Sequence, residues 1–164
     1  MTAQQPNNRV GYITVGPSNQ GKSTYCLNTL IPRLYQQRGA DGLLYANADI
    51  VREELFGTAE RHERAAEIWQ AVYAQVSAAT DKYAIIIDGT HLLPVYRAAS
   101  LSALRRAGIA KTTALEFKHA TLGECIRRST AREEHRLPES EIKRHFETFV
   151  PVGPDEGFTY IVRP

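Results

Sequence analysis

Gly16-Pro17-Ser18-Asn19-Gln20-Gly21-Lys22-Ser23-Thr24 reads G-x-x-x-x-G-K-[ST]. The residues ahead of it, Val10–Val15, are rich in strand formers, and those behind it turn to helical spacing. Strand, glycine turn and helix start, in that order, form a loop whose amides converge on an anion at a helix N-terminus. Gly16 and Gly21 let the backbone bend. Asn19, Gln20, Gly21 and Thr24 line the cradle, Lys22 is spaced to reach the β- and γ-phosphates, and the Ser23 hydroxyl is spaced to ligate Mg²⁺. A bound nucleoside triphosphate is the expectation.

Outward from the loop, further strand-like runs fall at Gly42–Ala46, Tyr83–Asp88, Thr112–His119 and Phe158–Val162, with helical segments between them. That alternation predicts an α/β three-layer sandwich of the P-loop NTPase class, with a central parallel sheet of about five strands. The uninterrupted β-branched run Ile85-Ile86-Ile87 suits a strand buried on both faces, near the middle of the sheet. Ala65, Ile68, Trp69, Val72, Tyr73 and Val76 recur at helical spacing, which makes Trp69 a core side chain. Pro94 opens the next helix and Gly108 stops it.

The chain's 164 residues suit one domain, expected over residues 10–164 behind a frayed N-terminus at 1–9. Hydrophobic residues at 43% and charged residues at 23% are those of a globular protein. No signal-peptide pattern or membrane-length apolar run occurs, so no membrane partner is expected and the cytoplasm is the expected compartment. Cys26 and Cys125, far apart and outside any CxxC, read as small core residues and exclude a disulfide scaffold. A formal charge of +2 does not by itself call for nucleic acid.

A P-loop serves kinases, ATPases and switch GTPases alike. The chain has no Asn-Lys-x-Asp segment to select guanine, and it is short for a mechanical ATPase, which favours a small kinase. Asp49, just after the second strand, is placed to receive a proton from an acceptor hydroxyl. Arg52, three residues on, shares its helical face and is placed to grip an anion. The same positions also suit an N-cap and a solvated charge. Asp88 ends its strand at the sheet's carboxyl edge, where it would fix a water on Mg²⁺, orient Arg52, or cap a turn with Gly89 and Thr90. His91 reads as a packing or hydrogen-bonding residue. From residue 121 to 138 the chain is dense in arginine, with Arg127, Arg128, Arg132 and Arg136, and has almost no apolar stripe after Ile126. It is expected to be a helical lid over the transferring phosphate, or else a solvated charged helix.

Taken together, Gly16–Thr24, Asp49-Ile50-Val51-Arg52, Asp88-Gly89-Thr90-His91 and Arg128-x-x-x-Arg132 ahead of Pro138 resemble the kinase domain of the phage polynucleotide 5′-kinase family. Pro151-x-x-Pro154-x-Glu156-Gly157-Phe158 resembles the final strand entry of the wider group, which includes zeta-toxin-like and small-molecule phosphotransferases. The resemblance implies ATP and Mg²⁺ at Lys22 and Ser23, Asp49 as general base, and Arg52 on the acceptor's phosphate. It also implies Arg132 on the transferring phosphate, with Arg128 auxiliary on the lid. The implied acceptor is nucleic acid, DNA rather than RNA, at a 5′-hydroxyl end. The hydroxymethyl group of a modified pyrimidine in DNA, a small molecule such as a nucleoside or antibiotic, and a non-catalytic nucleotide-dependent module are the alternatives. Gly89 stands where the phage family has an acid before its threonine, and the resemblance is to the kinase half of that family's enzyme alone, so a kinase without its phosphatase partner is the expectation.

Overall fold

The computed structural model describes residues 8–57 and 64–164. Five parallel strands, β1 (Val10–Val15), β2 (Leu43–Asn47), β3 (Ala84–Asp88), β4 (Lys111–Glu116) and β5 (Tyr160–Val162), lie in the order β2-β3-β1-β4-β5. The expected class is therefore observed, and the strands begin and end within a few residues of the sequence expectation. Ile85 and Ile87 of β3 point to one face and Ala84 and Ile86 to the other, and all are fully buried, which explains the unbroken apolar run.

On one face, α3 (Ala48–Phe56), α4 (Ala65–Ala78) and α5 (Pro94–Arg106) cover Ile13, Val15, Ile85 and Ile87 with Val51, Ile68, Val72, Leu101 and Leu104. Each such side chain taken from water contributes roughly 1.5–3 kcal/mol. On the other face, α1 (Lys22–Tyr25) runs through the π-helical turn Cys26–Leu30 into α2 (Ile31–Arg38), whose Ile31 and Leu34 pack with Cys26, Ile86 and Phe117. Pro32 has no N–H to return to the turn before it, which accounts for a π-turn at that place.

The arginine-rich segment forms α6 (Leu122–Thr130), an irregular stretch and α7 (Glu139–Thr148). It is less bare of apolar side chains than its sequence suggests. Ala120, Cys125 and Ile142 build a small buried cluster, with Leu122, Ile126, Leu137 and Phe146 around it. Ser129 closes the stretch by donating to Leu137 O at 2.9 Å and accepting from Leu137 N at 3.0 Å.

Of the terminus expected to fray, residues 1–7 lie outside the described residues. Arg9 is anchored, donating to the carbonyls of Lys82, Ala107 and Ala79 at 2.7, 2.6 and 2.9 Å. Among the described residues no helix is long and apolar enough to cross a membrane.

Candidate active site

The carboxyl ends of β1, β3 and β2 meet at Asp88, which is 2% exposed. Its carboxylate accepts from Thr14 Oγ1 at 2.8 Å, Ser23 Oγ at 2.6 Å, Tyr45 Oη at 2.5 Å and Asn47 Nδ2 at 2.9 Å. Burial, then the neighbouring Asp88 charge, drives the Tyr45 phenol far above its usual value, so it remains a donor. Four donors hold one carboxylate beside the P-loop serine. Of the roles considered for Asp88, orienting Arg52 has no direct contact behind it: Arg52 is not among these four donors and pairs with Asp49.

In the loop after β1, Gly16 at φ 138° passes so close to the next strand's exit that a Cβ would lie 2.0 Å from Phe117 O. Only glycine fits there. Gly21 takes φ 92° with open space where its Cβ would be. Gln20 clasps Ala120, donating from Nε2 to its carbonyl at 2.7 Å and accepting its N–H at 2.9 Å, so its side chain ties the loop to the chain after β4. Lys22 is buried and donates to Pro17 O at 2.5 Å. Burial pushes its ammonium down to about 8, against the opposing pull of Asp88. Asn19 Nδ2 is buried with no hydrogen-bond partner.

These features fit a triphosphate and Mg²⁺. An unpaired buried amide donor and a lysine wait in a loop at a helix N-terminus, and a hydroxyl with a carboxylate behind it supplies the hard oxygen donors that Mg²⁺ takes. Among the described residues no group of three or more His, Cys, Asp or Glu could hold a metal ion.

Asn47 caps α3 by accepting from Asp49 N at 2.8 Å and Ile50 N at 3.2 Å. Asp49 is therefore not the cap but lies in the first turn, with its side chain 58% exposed and ion-paired to Arg52, whose side chain is 9% exposed. Asp49, Arg52, Asp88, Lys22, Ser23 and Arg132 all line one cleft of about 640 Å³. Arg136, and Arg144 and His145 of α7, line it too. Arg128 sits at the back, donating to Asn19 O at 3.0 Å and to Glu124 at 2.7 Å, which ties α6 to the loop. It borders a second recess with Thr24, Tyr25, Phe117, His119 and Arg132. His145 meets Ser18 Oγ at 2.8 Å and brings α7 to the other side of the loop.

His91 has the packing role expected of it. Its Nδ1–H donates to Thr14 O and its Nε2 accepts from Ser100 Oγ, both at 2.8 Å. Burial lowers it to about 4, so the ring stays neutral. Sequence reasoning missed Thr14, Tyr45 and Asn47. Of these only Asn47 carried a signal, an N-cap residue at a strand end. It also missed Arg97, fully buried and paired through Nε and Nη2 with Glu156 at 2.5 and 2.6 Å. Arg97 also donates to the carbonyls of His91 and Val150 at 2.9 and 3.0 Å. It thus fastens the Pro151–Phe158 stretch behind the site.

A family model described as AAA domain matches residues 12–152. A search of curated proteins finds no match. Among solved structures, Kti12 of Chaetomium thermophilum in complex with ADP-AlF3 superposes with a TM-score of 0.66 at 12% identity, over 93% of this chain and 88% of that one. The Mycobacterium tuberculosis APS kinase CysC in complex with AMPPNP and APS gives 0.61 at 18%, over 97% and 90%. A fungal RNA kinase gives 0.59 at 14%, over 94% of this chain and 38% of that one. At these identities the likeness is one of fold.

Proposed function

The chain belongs to the AAA domain family of P-loop proteins, and we propose that it is an ATP-dependent kinase that phosphorylates a hydroxyl of a nucleic acid, foremost a 5′-hydroxyl end. One observation carries this reading. A carboxylate and a guanidinium, Asp49 and Arg52, stand paired at the end of β2, in the same cleft as Lys22 and Ser23 of the phosphate loop.

Asp49, exposed to the cleft, takes the proton of the attacking hydroxyl. Arg52, held nearly buried, presents a fixed fork to the phosphate next along the acceptor and reads no base. Lys22 and the Asn19 amide grip the donor's phosphate oxygens, and Arg132 reaches from the lid to the transferring group as its charge spreads. Bound at Ser23 with Asp88 behind it, Mg²⁺ would neutralise the donor's phosphate oxygens. The lid arginines and Asp49 favour a kinase over a nucleotide-dependent binding module, which needs neither.

The test supplies Mg²⁺ and γ-labelled ATP with 5′-hydroxyl oligonucleotides of DNA and RNA, hydroxymethyluracil DNA, nucleosides, sugars and antibiotics. Label on oligonucleotide 5′ ends supports the reading. Label confined to internal modified bases or to small molecules overturns the choice of acceptor, and no transfer to any of them overturns the kinase.

A further inference from the structure

Trp69 is the chain's single tryptophan. Among the described residues lining the cleft it is also the only phenyl, phenol or indole. The helical spacing of α4 makes it a core side chain, and in part it is one. The indole packs on the main core, meets the His91 ring near-perpendicularly at 5.1 Å and lies 5.6 Å from the Tyr73 ring. Yet it is only half-buried, and it forms part of the cleft wall together with Asp49, Arg52 and Asp88.

The backbone makes room for this ring. Gly89, the residue after Asp88, passes so near the indole that a Cβ would lie 2.7 Å from Cη2 and 2.9 Å from Cζ2. His91, neutral and tied by both ring nitrogens, backs the indole with a partner that cannot turn. The result is an indole braced at the wall of a cleft whose other side chains are mostly charged or polar. A preformed site of this kind loses little freedom on binding, and an aromatic face beside anion-binding groups suits the π-face of a base.

We propose that Trp69 is the stacking platform for the acceptor's terminal nucleobase, completing a site in which Asp49 holds the hydroxyl and Arg52 the neighbouring phosphate. This rests on the nucleic-acid reading above and specifies how the terminal nucleotide is recognised without base-edge contacts. Because stacking takes any base, the enzyme should be tolerant of sequence at the acceptor's end.

The experiment compares two 5′-hydroxyl oligonucleotides, identical except that one is abasic at the 5′-terminal residue. The wild-type enzyme should use the base-bearing acceptor with a kcat/KM on the order of ten-fold higher, the difference lying in the acceptor's KM. Trp69→Leu should treat the two alike, and Trp69→Phe should keep most of the preference. A measurement on unaltered protein guards against misfolded variants. With AMPPNP and Mg²⁺ already bound, the base-bearing oligonucleotide should quench the single tryptophan's fluorescence and the abasic one should not. Equal use of both acceptors by the wild type, or a preference that survives Trp69→Leu, overturns the platform and leaves the kinase standing. No label on either acceptor overturns the nucleic-acid reading, and the platform falls with it.

Discussion

Ser23 Oγ donates to Asp88 Oδ2 at 2.6 Å, so the hydroxyl of the phosphate loop and the carboxylate closing β3 meet at one point. Three more donors, from Thr14, Tyr45 and Asn47, hold that carboxylate in place. If this point is the metal's outer shell, Asp88→Asn should raise the Mg²⁺ concentration for half-maximal phosphoryl transfer on the order of 10–100-fold. A Mg²⁺ titration at saturating ATP reads it. An unchanged midpoint would make Asp88 a purely structural hub.

Burial holds Lys22 at about 8 in the free protein. Above that pH the ammonium is mostly neutral, and incoming phosphates restore its charge. Nucleotide binding should therefore take up close to one proton at about pH 9 and far fewer at about pH 7.5. Calorimetry in buffers of different ionisation enthalpy measures the uptake, and a heat independent of buffer at the higher pH would refute it.

Arg97, fully buried, and Glu156, partly buried, form a two-pronged pair between α5 and the entry to β5. Removing one partner strands the other, so Arg97→Met should cost about 3–5 kcal/mol and lower the melting temperature by on the order of 10 °C. Arg97→Lys should recover little, since an ammonium cannot span both carboxylate oxygens and the carbonyls behind them. A melting temperature within a degree or two of wild type for either variant would show that the clamp is unimportant.

His91 makes stability depend on pH in a defined window. Its value falls from 6.5 to about 4 because burial disfavours the charged ring. The unfolded chain then binds the proton more readily, so the stabilisation is complete above pH 6.5 and is lost as the pH falls toward 4. Between about pH 7 and pH 5 the wild type should lose about 2 kcal/mol more than His91→Asn, read from urea midpoints at the two pH values. Parallel losses in the two proteins would contradict the assignment.

The sheet and the phosphate loop were legible because their signals are local. A β-branched run, a glycine pattern and a helix start each lie within ten residues. The position of Asp49 was legible too, but not that Asn47, two residues earlier, takes the cap of α3 in its place. Arg97 was not legible. A lone arginine on a helix reads as solvated, and its partner lies 59 residues away. The small apolar cluster between α6 and α7 was hidden for a related reason, since Cys125 and Ile142 come from helices separated by a polar stretch, so neither shows a stripe of its own. For Trp69, helical periodicity identified the side packed on the core but said nothing of the side lining the cleft.

The central claim is that Asp49 activates an acceptor hydroxyl beside a loop-bound triphosphate. Its most direct test is single-turnover transfer from γ-labelled ATP to a 5′-hydroxyl oligonucleotide, by wild type and Asp49→Ala, with ATP affinity measured on the same samples. The account predicts transfer slowed by about 10²–10⁴-fold in the variant, with ATP affinity changed by less than about three-fold. Transfer at the wild-type rate by Asp49→Ala would contradict it.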